Sequence, residues 1–240
     1  MFKIERRFLF PNLITSLNLF FGFLSILMSL EGNFLVAAWL VLFAIVFDGL
    51  DGKVARKLEG YSQFGKEFDS FCDAVSFGIA PSILIYATLT TESYFKSVII
   101  PVAFLFMLAG IVRLVRFNIE TELSATKGDF IGMPIPAAAG LLASYYIFTN
   151  AVWGQFLGLG LFLGMAVLVS ILMVSNLPHQ NISNLLAAIN YKYLIIILVV
   201  LLLAAEYLVF PLFIVYILIN RLQDLKSNVE EYVSFINQGK

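Results

Sequence analysis

The chain has little histidine, cysteine or charge, and each shortage excludes a class of protein. His179 is its only histidine and Cys72 its only cysteine. A single histidine excludes mechanisms that need two of them in one chain, such as the paired-histidine chemistry of phospholipase D-like enzymes. It also argues against zinc, which usually takes several histidine or cysteine ligands. A single cysteine excludes an intrachain disulfide and leaves the redox compartment unmarked.

Charged residues are only 13% of the 240 residues, whereas 60% are hydrophobic. Soluble domains carry about 25% charged residues, so this composition indicates an integral membrane protein. The basic and acidic residues nearly balance, at 15 against 16. This balance gives no reason to expect a nucleic-acid partner.

Long apolar runs predict an all-α integral membrane protein, a polytopic helical bundle that forms one domain over residues 1–240. Hydropathy predicts eight spans, near residues 12–30, 34–56, 67–89, 97–118, 133–150, 154–174, 187–205 and 208–222. The last two are the weakest, because only Glu206, Tyr207 and Pro211 mark a break between them.

The basic residues predict the orientation of this bundle. With eight spans and the N-terminus inside, every lysine and arginine except Lys96 falls at a cytoplasmic end. Seven spans would put the C-terminal basic residues on the opposite side. We therefore expect a protein of the cell membrane whose N-terminus and active site face the cytoplasm.

Four aspartates lie in or beside the second and third predicted spans, within FDGLDGKVARKLEGYSQFGKEFDSFCD. A carboxylate at the centre of a spanning helix costs roughly 2.5–3.5 kcal/mol on insertion scales, so these groups need a compensating partner. Asp48 and Asp51 are spaced i, i+3, and Asp69 and Asp73 are spaced i, i+4, which puts each pair on one helical face. Two packed helices would bring the four together, where divalent cations with oxygen ligands relieve the repulsion.

Spacing alone leaves two functional interpretations equally supported. One is a metal site that carries out chemistry, and the other is an ion-conducting site in a small cation transporter. A third interpretation is structural: the carboxylates pair with nearby basic residues, namely Lys53, Arg56, Lys57 and Lys66.

The longer motif distinguishes these interpretations. The chain matches D-x2-D-G-x2-A-R-x8-G-x3-D-x3-D at every fixed position, with Asp48, Asp51, Gly52, Ala55, Arg56, Gly65, Asp69 and Asp73. On these residues it resembles the CDP-alcohol phosphatidyltransferase family. The resemblance favours a metal-dependent transferase and implies a six-helix core, to which the helices at about 187–222 are additional.

The resemblance also implies roles for the aspartates. Two divalent cations, Mg²⁺ or Mn²⁺, are expected, with Asp48, Asp51 and Asp69 holding one and Asp69 and Asp73 holding the other. Asp73 is also expected to be the general base. The cations would stabilise charge on a leaving cytidine monophosphate, while a carboxylate beside the attacking alcohol accepts its proton.

A CDP-linked lipid is expected to bind next to this metal site. The resemblance assigns nucleotide contacts to Gly52, Arg56 and Ser62, although Gly52 also suits close helix packing. Upstream, Asn12, Thr15 and Asn18 form a polar stripe at i, i+3, i+6. Such stripes often join membrane helices to one another. In relatives, a segment of this type lines the cytidine pocket, so both interpretations stay open.

Two later stretches concern the acceptor. RLVRFNIE at 113–120 and KGDFIGMPIPAAAG at 127–140, together with PNLITSLNLFFG at 11–22, resemble the phosphatidylserine synthase branch, including its archaeal archaetidylserine relatives. This implies CDP-diacylglycerol and L-serine as substrates, and the serine-binding residues are expected to be Arg113, Arg116, Asn118 and Lys127. A guanidinium is a natural fork for the serine carboxylate.

Several alternatives remain at this stage. The two arginines can instead mark the cytoplasmic end of a span, and Lys127 can bind the lipid phosphate. Within the same chemistry, the acceptor can be glycerol 3-phosphate or inositol phosphate, and the donor an archaeal ether lipid. Relatives are commonly homodimers, and the lipid bilayer is an expected partner.

Overall fold

The computed structural model describes residues 6–58, 62–92, 96–123, 130–176, 178–179 and 204–238, almost all of them helical. The helices are α1 (Arg6–Leu30), α2 (Phe34–Lys57), α3 (Gln63–Asp73), α4 (Ala80–Glu92), α5 (Lys96–Leu123), α6 (Ile135–Trp153), α7 (Leu159–Val174) and α8 (Ala205–Gln238). A π-helical turn, Ala74–Ile79, joins α3 to α4. Strands β1 (Phe130–Ile131) and β2 (Pro178–His179) form a short antiparallel pair.

Six helices of the described residues are long and apolar enough to cross a membrane: Leu9–Leu30, Phe34–Lys57, Gln63–Thr91, Lys96–Glu120, Ile135–Trp153 and Ala205–Leu222. Regular helices suit this environment because they satisfy every backbone polar group where water is absent. The prediction of an all-α polytopic membrane protein is confirmed. Nearly all of the predicted span at 187–205 lies outside the described residues, and the single-domain assignment stays a prediction.

Helix α7 is shorter than its predicted span of 154–174. Gly154 and Gly158 both have positive φ, at 68° and 78°, and they interrupt the helical path between α6 and α7. The 16 residues that remain in α7 extend about 24 Å at 1.5 Å per residue, less than a hydrocarbon core of about 30 Å. The apolar run therefore overstated the length of this helix.

Helix α6 lies at the centre of the bundle and is buried along most of its length. Residues of α2, α4, α5 and α7 surround it in one hydrophobic core. Helix α8 packs against α6 at Gly140, where an added Cβ would overlap the ring of Phe213. Tyr145 of α6 also contacts the ring of Phe210, with centroids 5.2 Å apart.

Helix α1 makes a close contact with the π-helical turn. A Cβ on Gly22 would lie 2.6 Å from the Cα of Ser76, so only glycine fits there without moving backbone. The hydroxyl of Ser76 donates a 3.0 Å hydrogen bond to the backbone oxygen of Asn18. Since π-helical turns frequently mark functional sites, it is significant that this one begins immediately after Asp73.

Candidate metal and substrate site

The two pairs of aspartates converge at one end of the bundle. Helix α2 carries Asp48 and Asp51, and α3 carries Asp69 and Asp73. One carboxylate oxygen from each of Asp48, Asp51 and Asp69 lies within 4.8 Å of the others. The packing of α2 and α3 on α1 brings these oxygens together.

Asp73 lies beside this group of three. It is buried, and its Oδ1 accepts a 3.1 Å hydrogen bond from Nδ2 of Asn18. Its carboxyl group also faces that of Asp48 within hydrogen-bonding reach. All four aspartates therefore share one polar cluster, and Asp73 contacts α1 through Asn18.

The side chains of this cluster fit a divalent cation. Among the described residues, Oδ1 of Asp69 is buried with no hydrogen-bond partner, and a buried carboxylate oxygen in that state is costly unless something binds it. Hard oxygen donors of this kind match Mg²⁺ and Mn²⁺. In the described part of the chain, no ion pair joins Lys53, Arg56 or Lys57 to the aspartates, and these three side chains are exposed on α2. The geometry therefore favours a metal cluster over carboxylates neutralised by those residues.

The polar stripe of α1 faces the aspartates. Thr15 is buried, and its hydroxyl lies 2.7 Å from Oδ2 of Asp51 and 3.1 Å from the backbone oxygen of Pro11. Asn18 is fully buried, and its Oδ1 has no hydrogen-bond partner in the part of the chain that the structure describes. Two of the three predicted stripe residues thus contact the carboxylates directly.

Asn12, the third stripe residue, lies near the start of α3. A Cβ on Gly65 would be 3.3 Å from Oδ1 of Asn12 and 3.1 Å from the hydroxyl oxygen of Ser62. Ser62 caps α3, because its hydroxyl accepts a 2.9 Å hydrogen bond from the Gly65 amide. The structure therefore groups Asn12, Ser62 and Gly65 beside the cluster.

Gly52 and Arg56 lie on the open side of α2. A Cβ at Gly52 would meet no atom within 4 Å, so no other described helix packs there. This finding argues against a packing role for Gly52 and leaves its backbone accessible to a ligand. Arg56 is exposed one turn later.

The two predicted acceptor arginines, one turn apart on α5, have different surroundings. Arg113 is only 7% exposed, its guanidinium lies 5.2 Å from the ring centroid of Phe117, and no described residue bonds its Nε. Its positive charge acts on Asp73 and Asp48. Arg116 donates from Nε to Oε1 of Glu120 at 2.8 Å and from Nη1 to the Val174 backbone oxygen at 3.4 Å.

Asn118 faces α3. Its Nδ2 donates a 2.9 Å hydrogen bond to the hydroxyl oxygen of Ser70, and its backbone oxygen accepts a 3.4 Å hydrogen bond from Nζ of Lys66. Lys127, the fourth predicted acceptor residue, lies outside the described residues.

The sequence analysis missed two residues of this region, Ser70 and Ser76. Ser70 occupies a variable position of the motif, directly after Asp69, so the motif gives no signal for it. Ser76 follows Asp73 by one helical turn, and its contact with Asn18 depends on the π-helical turn, which no residue pattern indicated.

Comparison with known proteins agrees with this geometry. Residues 8–175 match the model of the CDP-alcohol phosphatidyltransferase family. A CDP-diacylglycerol–serine O-phosphatidyltransferase of Helicobacter pylori (strain J99) is 41% identical over 199 residues, which cover 82% of this chain and 81% of that protein.

Two further relatives come from other lineages. An archaetidylserine synthase of Methanothermobacter thermautotrophicus is 37% identical over 186 residues, covering 76% of this chain and 74% of that protein. A CDP-diacylglycerol–serine O-phosphatidyltransferase of Mycobacterium tuberculosis (strain H37Rv) is 33% identical over 190 residues, covering 75% and 64%. On this match and on the aspartate cluster, the chain belongs to the CDP-alcohol phosphatidyltransferase family.

Proposed function

We propose that this enzyme transfers the phosphatidyl group of CDP-diacylglycerol to the hydroxyl of L-serine, giving phosphatidylserine and cytidine monophosphate. The observation that carries this proposal is a buried arginine beside the aspartate cluster, Arg113, whose Nε has no hydrogen-bond partner among the described residues. The printed names of the relatives from Helicobacter pylori and Mycobacterium tuberculosis support the same reaction.

In this reaction, the serine oxygen forms a bond to the β-phosphorus, and the pyrophosphate bond to cytidine monophosphate breaks. Two divalent cations, Mg²⁺ or Mn²⁺, held by Asp48, Asp51, Asp69 and Asp73, would stabilise the charge that develops on the phosphates. Asp73 accepts the proton of the serine hydroxyl. The hydrogen bond from Asn18 to Oδ1 of Asp73 fixes that carboxylate while its other oxygen takes the proton.

The donor lies along α2 and α1. The open side of Gly52 lets the pyrophosphate approach the backbone, and Arg56 is within one turn to pair with a phosphate. Asn12 and Ser62 lie together at the start of α3 and contact the nucleotide. Thr15 and Asn18 border the same pocket while they hold Asp51 and Asp73.

The serine carboxylate pairs with Arg113. A buried guanidinium with an unpartnered N–H is costly to leave unsatisfied, and a carboxylate supplies the missing acceptor. Arg116 is already engaged by Glu120 and by the end of α7, so its proposed contribution is to hold α5 against α7. The proposed contact of Lys127 with serine stays a prediction.

The same proposal includes the cell membrane as the location, with the site facing the cytoplasm, and a homodimer as the assembly. The distribution of basic residues supports this orientation. Lys53, Arg56 and Lys57 lie in the last turns of α2, close to the aspartates. Lys96 lies at the start of α5, at the opposite end of that helix from Arg113 and Arg116. The orientation is tested with the variant Lys57→Cys, by comparing thiol labelling in intact cells with labelling in opened cells. The dimer is tested by cross-linking in membranes.

The reaction is tested by measuring cytidine monophosphate release from CDP-diacylglycerol by the purified enzyme in detergent with Mn²⁺. Serine, glycerol 3-phosphate and inositol phosphate are compared as acceptors, and a CDP-ether lipid is compared as donor. Release that depends on serine is expected. Release only with another acceptor overturns the choice of serine but keeps the metal site, and ion flux without release of nucleotide supports a transporter instead.

The two arginines provide a test of the acceptor pocket. Arg113→Lys should raise the KM for serine by about tenfold or more with a much smaller change in the KM for CDP-diacylglycerol, because a lysine cannot form the two-point contact. Arg116→Lys is the matched control and should leave the KM for serine within about twofold, since its partners are Glu120 and a backbone oxygen. A rise in the KM for serine confined to Arg116→Lys would reverse this assignment.

A further inference from the structure

Helix α3 carries half of the aspartate cluster. It is the first part of a helical stretch, Gln63–Thr91, that continues through the π-helical turn into α4, and Phe64 and Phe71 are among its exposed side chains. Helix α3 packs mainly on α1. Contacts that fix its rotation matter for the site, because a turn of a few tens of degrees would move its carboxylates away from α2.

Three hydrogen bonds meet at this point, two that join α3 to α5 and one within α3. Nδ2 of Asn118 donates to the Ser70 hydroxyl oxygen at 2.9 Å, and that hydroxyl donates to the Lys66 backbone oxygen at 3.2 Å. Nζ of Lys66 donates to the Asn118 backbone oxygen at 3.4 Å. We name this set of Asn118, Ser70 and Lys66 the Asn118 clip.

The position of Ser70 ties the clip to the metal cluster. Ser70 follows Asp69 directly and precedes Asp73 by one helical turn. The hydrogen bond from Asn118 therefore holds α3 at a point between its two carboxylates, and so fixes the rotation of the helix there. The same bond directs the Asn118 amide group toward α3.

We propose that Asn118 is a positioning residue that holds Asp69 and Asp73 against α2 through Ser70, and that it does not bind the acceptor. This inference rests on the metal site of the proposed function but not on the identity of the acceptor. Outer contacts that orient carboxylate ligands commonly affect metal affinity.

The test is a double-mutant cycle on Asn118→Ala and Ser70→Ala, read out as Mn²⁺ binding to the purified enzyme by electron paramagnetic resonance without lipid or serine. Each single variant should bind Mn²⁺ about three- to tenfold more weakly, which corresponds to the loss of one net hydrogen bond. The double variant should be no weaker than the weaker single variant, because both changes remove the same bond. The KM for serine, measured at saturating Mn²⁺, should stay unchanged in both single variants.

Two controls separate positioning from a general loss of stability. Ser70→Thr keeps the hydroxyl and should retain the affinity of the unaltered enzyme for Mn²⁺. Ser170→Ala removes a buried hydroxyl that bonds within α7 rather than to α3 or α5, and should leave Mn²⁺ affinity unchanged.

The remaining outcomes overturn the proposal. Unchanged Mn²⁺ affinity in Asn118→Ala, or losses that multiply in the double variant, would show that the clip does not hold the ligands. A raised KM for serine with unchanged Mn²⁺ affinity would make Asn118 an acceptor contact. An enzyme that binds Mn²⁺ but releases no nucleotide with serine overturns the proposed acceptor and leaves the clip intact.

Discussion

The two halves of the aspartate cluster are held in place by different means. Asp48 and Asp51 lie on α2, a 24-residue helix that packs along α1 through an extensive interface. Asp69 and Asp73 lie at the end of α3, where the helical stretch Gln63–Thr91 passes through a π-helical turn. Individual polar contacts, from Asn18 to Asp73 and from Asn118 to Ser70, also hold the α3 half.

This difference shows how one site can combine a rigid half with an adjustable half. Packing distributed along α1 and α2 places the α2 carboxylates, so no single bond decides their position. The α3 carboxylates adjoin an irregular turn, and a few hydrogen bonds and one close glycine contact with α1 add to the packing that places them. Changes outside the ligands themselves should therefore harm the α3 half more than the α2 half.

The largest effect is expected when a ligand itself loses its charge. Asp69→Asn keeps the size of the side chain but removes a carboxylate from the group of three, including an oxygen with no hydrogen-bond partner among the described residues. Because a direct ligand is lost, release of cytidine monophosphate should fall by roughly 100-fold or more, at or beyond the upper end of what losing an outer contact of a metal site causes. Activity near that of the unaltered enzyme, with Mn²⁺ binding unchanged, would remove Asp69 from the metal site.

A smaller effect is expected at the contact between α1 and the π-helical turn. Gly22→Ala places a Cβ against the backbone of Ser76, and inserting a methyl group into such a contact costs about 1–3 kcal/mol. The variant should have a lower unfolding temperature in detergent and weaker Mn²⁺ binding, because Asp73 adjoins the turn.

Gly49→Ala on α2 is the matched control for this substitution. A Cβ at Gly49 meets no atom within 4 Å, and alanine favours helix by up to about 1 kcal/mol over glycine. Thermal stability and Mn²⁺ affinity should be unchanged or slightly raised. If Gly22→Ala behaved like Gly49→Ala, the close contact would not be a determinant of the α3 half.

Residue patterns predicted much of this molecule, because the relevant physics is local. The apolar runs predicted the spanning helices, and the i, i+3 and i, i+4 spacing of the aspartates predicted two faces that meet. The sequence analysis left the polar stripe of α1 with two interpretations, contact with another helix and contact with the nucleotide. In the structure, two residues of the stripe donate hydrogen bonds to aspartates.

The remaining features depend on contacts between distant parts of the chain. The sequence does not distinguish the roles of Arg113 and Arg116. In the folded protein, Glu120 and the end of α7 supply hydrogen-bond acceptors to Arg116. Asn118 was assigned to the acceptor on resemblance, while its partner Ser70 occupies a variable motif position. Such features follow from tertiary packing rather than from the periodicity of one helix.

The smallest effect is expected from the contact that supports the α2 half. Thr15→Val keeps the shape of the side chain but removes the 2.7 Å hydrogen bond to Asp51. Because the interface between α1 and α2 still places Asp51, Mn²⁺ affinity should fall by only about two- to threefold. This is the low end of the effect expected from the loss of one hydrogen bond. Thr15→Ser, which keeps the hydroxyl, should match the unaltered enzyme. A loss for Thr15→Val as large as that for Ser70→Ala would mean that the α2 half depends on single bonds as much as the α3 half does.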